Sequence, residues 1–146
     1  MVIGIRSSGA HPTLVSTLTA AVDGFHQAGE VTVAKHFPGQ EDTDVDSHTG
    51  LPVIDHTLRE WWRIDAPPFQ AAIRAGVDQI MIGHIKVPAL DDSGQPASLS
   101  PVIVTGLLRG RLGYQGVVVT DSLQMAGVLQ GHTPGAGRGA GRPGRL

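Results

Sequence analysis

The chain has 146 residues, a net charge of −2 at neutral pH and 40% hydrophobic residues, which is typical of one globular domain with its own core. The near-neutral charge gives no electrostatic reason to expect nucleic acid or an acidic membrane as a partner. There is no cysteine, which excludes disulfides, thiolate catalysis and thiolate metal sites. We see neither a signal peptide nor an apolar run that would span a membrane.

Three helices are predicted along the chain. The first begins near Pro12 and ends before Gly29, the second covers residues 67–76, and the third covers residues 100–113 with Ser100 as its N-cap. The first helix has apolar residues at helical spacing, which we expect to face inward: Leu14, Leu18, Ala21, Val22 and Phe25. The inward residues predicted for the other two helices are Phe69, Ala72, Ile73, Val104, Leu107, Leu108 and Leu112.

Three short apolar runs alternate with these helices and are predicted to be buried strands. They cover residues 30–37, 77–85 and 114–121. Strands that are apolar on both faces and separated by helices indicate an α/β fold with a parallel sheet. Three strands are too few for a closed (β/α)₈ barrel, which needs about 250 residues. The pattern therefore predicts either a small open sheet or part of a larger fold.

Ionisable residues gather where each predicted strand ends. Lys35 and His36 end the first strand, His84 lies at the end of the second, and Asp121 ends the third. Because the carboxyl ends of parallel strands meet at one edge of the sheet, ligands bind there in such folds. Polar loops explain one such residue easily, but they explain all of them together less well. We therefore expect a site at this edge.

The segment that follows the first strand, "AKHFPGQEDTDVDSHTG", is rich in titratable groups and leaves three interpretations open. Asp44, Asp46 and His48 share one side of an extended chain and have the chemistry of Zn or Mn ligands. A solvated acidic loop with an incidental His is the second interpretation. Alternatively, Asp46 orients His48 as a proton donor while Asp121 attacks from the opposite side, which is the arrangement of a retaining glycosidase.

Two long motifs carry a family resemblance. "KHFPGQEDTDVDSHTGLPVI" resembles the signature loop of glycoside hydrolase family 3, in its β-N-acetylglucosaminidase branch, and "GLLRGRLGYQGVVVTDSLQM" resembles the nucleophile region of that family. The intervening stretch and "VIGIRSSG" are also similar, so the resemblance covers about residues 2–129. It implies retaining hydrolysis of terminal, non-reducing β-linked N-acetylglucosamine, as in peptidoglycan turnover, with no metal, no cofactor and no obligate protein partner.

The resemblance also implies roles for individual residues. Asp121 matches the catalytic nucleophile, His48 the general acid/base and Asp46 its partner. The residues that match or lie at substrate-binding positions are Arg6, Lys35, His36 and, with a less defined role, His84. Relatives occur both in the cytoplasm and at the envelope or outside the cell, so the compartment is left open.

The sequence also departs from the family pattern. Gln40 and Glu41 replace a His-Gly pair in the signature loop, and Ser8 replaces a Phe. The family domain is a TIM-type barrel, and we expect residues 1–130 to be an incomplete (β/α)₈ fragment of it, truncated at both ends. Residues 131–146 are rich in Gly, Arg and Pro and are predicted to be a disordered tail. An inactive remnant or a simple sugar-binding fragment is therefore the alternative to an active enzyme.

Overall fold

A computed structural model of the chain describes residues 12–40, 50–125 and 128. The predicted tail at residues 131–146 lies outside this part of the chain. The elements, in chain order, are α1 (Pro12–Gln27), β1 (Val33–Phe37), α2 (Leu58–Ile64), α3 (Ala66–Arg74), β2 (Gln79–Ile82), a 3₁₀ turn (Ala97–Leu99), a π-helix (Val102–Arg111) and β3 (Val117–Thr120). None of the helices within these residues is both long enough and apolar enough to cross a lipid bilayer.

The three strands form one parallel sheet in the order β1-β2-β3. Val33 of β1 lies opposite Gln79 of β2, and Ile80 of β2 lies opposite Val118 of β3. Helices lie between successive strands in the chain, as parallel connections require. The predicted α/β class with parallel strands alternating with helices is therefore confirmed.

The prediction that all three strands are buried is wrong for the outer two. Ile80 and Ile82 of β2 are fully buried, whereas Val33 of β1 is 45% exposed and Val117 of β3 is 56% exposed. The reason is position in the sheet, because β2 has a partner on both sides while β1 and β3 each pair with one strand among the described residues. An apolar run in the sequence does not reveal which strand is central.

The core packs against the sheet and is centred on Phe37 at the end of β1. Its ring meets Phe69 of α3 edge to face at 5.0 Å between centroids and Trp61 of α2 at 6.3 Å. Phe69 and Ala72 are buried as predicted, and Ile73 is partly buried. Phe25 of α1 is 43% exposed, so its predicted inward position is wrong. The apolar stripe of α1 therefore turns away from the core before the helix ends.

Helix α2 was not predicted, although its sequence carries a start signal. Thr57 is its N-cap and forms a capping box with Glu60: the Glu60 N–H donates to the Thr57 hydroxyl at 3.2 Å, and the Thr57 N–H donates to the Glu60 carboxylate at 2.9 Å. The helix has only seven residues, which is too few for a clear apolar periodicity. It buries Trp61 completely.

The third predicted helix exists, but its winding differs from the α-helix we expected. The Ser100 hydroxyl accepts from the Ile103 N–H at 3.1 Å, as an N-cap does, and the chain then continues as a π-helix. The Leu112 N–H donates to the carbonyl of Leu107, five residues earlier, at 2.9 Å. Leu107 and Leu108 are buried as predicted. Apolar spacing over so few turns is too coarse to distinguish the two windings.

Thr32 and Asp78 tie the amino ends of β1 and β2 together. The Asp78 Oδ2 atom accepts from the Thr32 N–H and from the Thr32 hydroxyl, both at 2.8 Å, and lies 2.9 Å from Nε2 of His26. The bond from the Thr32 N–H, followed by the contact with His26 and the bond from the Thr32 hydroxyl, lowers the pKa of Asp78 to about 2. This end of the sheet therefore holds a network of polar contacts that stabilises the ionised carboxylate.

Candidate active site

The carboxyl ends of the three strands lie along one edge of the sheet because all three strands are parallel. Lys35 and His36 lie in β1, Gly83 and His84 follow β2, and Asp121 follows β3. Pro38 ends β1 because it has no N–H to continue the ladder. Within the described part of the chain, this edge is where the ionisable residues singled out from the sequence occur.

His36 and Asp121 meet across this edge. The Nε2 atom of His36 lies 3.5 Å from Oδ2 of Asp121, and their side chains are 23% and 24% exposed. The partial exposure means that the carboxylate is sheltered yet still accessible to a ligand. The two residues come from strands that are not neighbours, so their side chains reach each other over the end of β2.

The carboxylate of Asp121 is oriented by the backbone N–H of the next residue, Ser122. Its Oδ1 atom accepts from the Ser122 N–H at 2.8 Å, and the Asp121 N–H donates to the carbonyl of Ile82 in β2 at 3.0 Å. The first bond turns one oxygen towards the backbone, and the second fixes the main chain to the central strand. Oδ2 is thus the oxygen that faces His36.

Gly83 makes room for this meeting, and it was not singled out from the sequence. A Cβ atom at this position would lie 3.2 Å from Cβ of His36 and 3.0 Å from Oε1 of Gln40. The Gly83 N–H donates to the carbonyl of Phe37 at 2.9 Å, which holds it against the end of β1. The only signal available in the sequence was a glycine directly after an apolar strand, which is typical of close backbone approach.

His84 is completely buried, unlike His36. Its Nδ1 atom lies 2.6 Å from the Ser98 hydroxyl, and its Nε2 atom lies 3.0 Å from the carbonyl oxygen of Ser122. Both ring nitrogens therefore contact protein groups. The contact of His84 with a sugar stays a prediction, and its burial favours a supporting role beside Asp121.

Lys35 shares β1 with His36, and its side chain is exposed to solvent. The peptide bonds Lys35–His36 and Phe37–Pro38 are both cis. The other three predicted site residues, Arg6, Asp46 and His48, lie outside the described residues. The structure thus brings His36, His84 and Asp121 to one edge together with Lys35.

Helix α2 and the residue after it hold the chain where β1 ends. The indole N–H of Trp61 donates to the carbonyl of Pro38 at 2.8 Å. Gly39 has a φ of +123°, and a Cβ atom there would lie 2.9 Å from Oδ1 of Asp65, so only glycine fits. Asp65 also contacts Nδ1 of His56 at 2.7 Å. Pro38 and Gly39 are therefore fixed from one side by α2 and Asp65.

Residues 52–54 are fixed in a similar way by the segment after β2. The Ile54 N–H donates to the carbonyl of Lys86 at 2.9 Å, and the Lys86 N–H donates to the carbonyl of Pro52 at 2.8 Å. Val53 and Lys86 form a parallel bridge. In residues 12–40 and 50–125, no three or more His, Asp or Glu side chains come together in a way that would hold a metal ion.

The family model for the N-terminal domain of glycosyl hydrolase family 3 matches residues 1–138. The chain belongs to this family. The family resemblance seen in the sequence is therefore confirmed. The family 3 domain is a TIM-type barrel, and the three parallel strands with their helices are a part of it.

Relatives and solved structures agree with this assignment. Beta-hexosaminidase A of Pseudoalteromonas piscicida is 46% identical over 145 residues, which are 91% of this chain and 24% of the relative. A family 3 beta-N-acetylglucosaminidase structure from Paenibacillus sp. FPU-7 superposes with a TM-score of 0.87 at 45% identity, over 95% of this chain and 27% of that one. A beta-N-acetylhexosaminidase structure from Beutenbergia cavernae gives a TM-score of 0.75 at 35% identity, over 84% of this chain and 36% of that one.

The family 3 chain is much shorter than these proteins. It spans between 24% and 36% of their lengths. The chain therefore corresponds to a part of these relatives, and the activity of the whole relatives is carried to this chain only as a proposal.

Proposed function

We propose that this family 3 chain carries catalytic machinery for removing terminal, non-reducing β-linked N-acetylglucosamine from saccharides with retention of configuration. One observation carries the proposal: in a family 3 domain, the carboxylate of Asp121 lies at the carboxyl edge of the sheet, partly exposed and 3.5 Å from His36. The names of the similar proteins, hexosaminidases and N-acetylglucosaminidases, support the choice of sugar.

In the first proposed step, Asp121 is the nucleophile. Its carboxylate oxygen forms a bond to the anomeric carbon while the bond from that carbon to the leaving oxygen breaks. His48 donates a proton to the leaving oxygen, and Asp46 orients the imidazole. The bond from the Ser122 N–H to Oδ1 leaves Oδ2 as the attacking atom, which supports Asp121 in this role because an attacking group must be held in place.

In the second proposed step, water completes the hydrolysis. His48 takes a proton from the water, whose oxygen bonds to the anomeric carbon as the ester bond to Asp121 breaks. Two displacements at the same carbon return the β configuration. Phosphate in place of water would give a sugar phosphate, so the acceptor has to be tested directly.

Substrate contacts are proposed for Arg6, Lys35 and His36, and the resemblance had placed His84 with them. The position of His36 supports its role, since a ring 3.5 Å from the Asp121 carboxylate lies beside any sugar whose anomeric carbon that carboxylate attacks. The exposed side chain of Lys35 on the same strand is available to a hydroxyl group. For His84 the burial of the ring points instead to a supporting role.

A second candidate function is a sugar-binding fragment or an inactive remnant of the family. The exposure of Val33 and Val117 on the two outer strands favours it, because a complete barrel pairs every strand on both sides. A sugar-binding fragment would bind N-acetylglucosamine without hydrolysing the glycoside, and an inactive remnant would neither bind the sugar nor hydrolyse the glycoside.

The test is release of nitrophenol from 4-nitrophenyl N-acetyl-β-glucosaminide by the full chain, with and without phosphate. We expect release without phosphate, and we expect Asp121→Asn to reduce it by at least about 10³-fold. His26→Gln, at the opposite end of the sheet, is the matched control and should keep the wild-type rate. Full activity in Asp121→Asn would overturn the proposal. Binding of N-acetylglucosamine in calorimetry without release would establish the sugar-binding alternative, and release only with phosphate would identify a phosphorylase.

A further inference from the structure

We propose that His84, together with Ser98, is a positioning residue that sets the orientation of the Asp121 carboxylate through Ser122, rather than a residue that contacts sugar. The catalytic part of this inference rests on the proposed function, in which Asp121 is the nucleophile. The structural part, that His84 holds Ser122, stands on the geometry alone.

The bonds of the His84 ring fix its tautomer. The carbonyl oxygen of Ser122 can only accept, so the Nε2 atom at 3.0 Å must carry the hydrogen. In the neutral ring Nδ1 then accepts from the Ser98 hydroxyl at 2.6 Å. With both nitrogens used and the residue 0% exposed, no polar atom of the ring is left for a sugar hydroxyl.

The link from His84 reaches the nucleophile through a single residue. Ser122 is held at its carbonyl by His84 and at its N–H by Oδ1 of Asp121, at 2.8 Å. Loss of the bond to His84 removes one of the two restraints on Ser122. The Ser122 Cα atom is then less well fixed, and so is the preceding peptide plane, which carries the N–H that orients Oδ1. The attacking Oδ2 of Asp121 would then be less well aimed, because both oxygens belong to one planar group.

Ser98, which contacts the other nitrogen of the His84 ring, is itself held by the segment that follows the central strand β2. Ser98 lies in the 3₁₀ turn Ala97–Leu99, and the Ala97 N–H donates to the carbonyl of Ile85 at 2.7 Å. His84 and Ile85 follow β2 after Gly83, whereas Ser122 follows β3 after Asp121. The buried imidazole therefore connects two neighbouring loops at the edge where the site lies, which is how a supporting residue acts on a reacting group.

Three variants separate positioning from a sugar contact. His84→Phe removes both bonds, His84→Gln keeps an N–H that can donate to the Ser122 carbonyl, and Ser98→Ala removes only the support of the ring. Hydrogen exchange of the Ser122 amide is the readout that needs no activity. We expect exchange to accelerate about tenfold or more in His84→Phe, less in Ser98→Ala, and little in His84→Gln. Unchanged exchange in His84→Phe and Ser98→Ala would overturn the inference, whether or not the wild type is an enzyme.

A second readout measures the nucleophile itself. An activated 5-fluoro N-acetylglucosaminyl fluoride loses fluoride when Asp121 bonds to its anomeric carbon, and the slow ester is seen by mass spectrometry. We expect His84→Phe to slow this labelling about 100-fold, with the Kd for N-acetylglucosamine within about twofold, and His84→Gln to recover most of the rate. A Kd that weakens as much as the labelling rate would show a sugar contact and overturn the inference.

No labelling of the wild type would count against the proposed function instead, and the Ser122 exchange would still decide the role of His84. If His84→Phe fails to fold, His84→Gln and Ser98→Ala carry the same comparison.

Discussion

The imidazole of His36 and the carboxylate of Asp121 lie 3.5 Å apart although their strands are separated by β2. They meet over Gly83, where a Cβ atom would lie 3.2 Å from Cβ of His36. A side chain at this position would press against His36, whose ring contacts Asp121. The absence of one at the end of the central strand is therefore part of what creates the candidate active site.

Replacement of Gly83 by alanine should displace His36. The added methyl group must push against Cβ of His36, which is close to the backbone and cannot swing aside, whereas Oε1 of Gln40 at 3.0 Å is the end of a flexible side chain. We expect kcat/KM for the aryl glycoside to fall by about tenfold to 100-fold. Gly106→Ala is the control, since outside its chain neighbours and the backbone of its own helix no atom lies within 4 Å of the added carbon. Equal activity of both variants would show that the space above Gly83 has no functional role.

The hydrogen bond from Trp61 to Pro38 should stabilise the fold. Trp61→Phe leaves a buried carbonyl without its donor and a gap beside Phe37, so we expect a loss of about 2–4 kcal/mol in the free energy of unfolding. Trp62→Phe is the matched control, since Trp62 is only partly buried, and a phenyl ring can keep its edge-to-face contact with Trp61 and its contact with Arg111. Its expected loss is below about 1 kcal/mol. Urea denaturation measures both, and similar losses would contradict the prediction.

Ionised Asp78 should stabilise the chain, so the free energy of unfolding should fall as the pH is lowered through the acidic range. Its folded pKa of about 2 lies below the ordinary 3.8, so its stabilising contribution is complete above about 3.8 and is lost as the pH falls through about 2. We expect Asp78→Asn to lower the melting temperature at neutral pH and to remove this acidic decline. Asp92→Asn, at an exposed position in a loop, should change neither. Melting curves across the acidic range test this, and an unchanged acid profile in Asp78→Asn would refute it.

Gly116 should tolerate no side chain. A Cβ atom there would collide with the hydroxyl group of Tyr114 and lie 2.7 Å from the carbonyl of Asp78, which that hydroxyl binds. Arg109 fixes the backbone from the other side by donating to the Gly116 carbonyl at 2.6 Å. We expect Gly116→Ala to cost about 1–3 kcal/mol.

The matched control for Gly116 lies in α1. Gly24 has free space around the position of a Cβ atom, so Gly24→Ala should stabilise the helix by about 0.5–1 kcal/mol. Thermal melts of the two variants should therefore shift in opposite directions. A gain in stability for Gly116→Ala would mean that Tyr114 moves aside at little cost.

The sequence predicted the parallel α/β fold well because the relevant signals are local. Apolar runs of strand length alternate with helical spacing, and Ser100 carries the cap that starts the last helix. Burial was predicted less well, as Val117 and Phe25 show, because exposure depends on which neighbours each element meets in space. The short helix α2 was missed because seven residues are too few to show a clear apolar period, although a capping box marks its start.

The candidate site shows the same division. Position at the strand ends predicted that His36 and Asp121 would share one edge, and the structure brings them together. The gap above Gly83 and the two bonds of the buried His84 could not be predicted, because they depend on distances between different loops. The roles of Arg6, Asp46 and His48 rest on the resemblance and stay predictions.

The bonds between Thr32 and Asp78 lie at the amino ends of the strands, a full strand length away from the edge that carries His36 and Asp121. The Thr32–Asp78 network and the candidate active site thus occupy opposite poles of the same sheet. A protein engineer can therefore introduce substitutions for robustness around Thr32 at a distance from the candidate active site, whereas substitutions beside that site must spare the bond from Trp61 to Pro38.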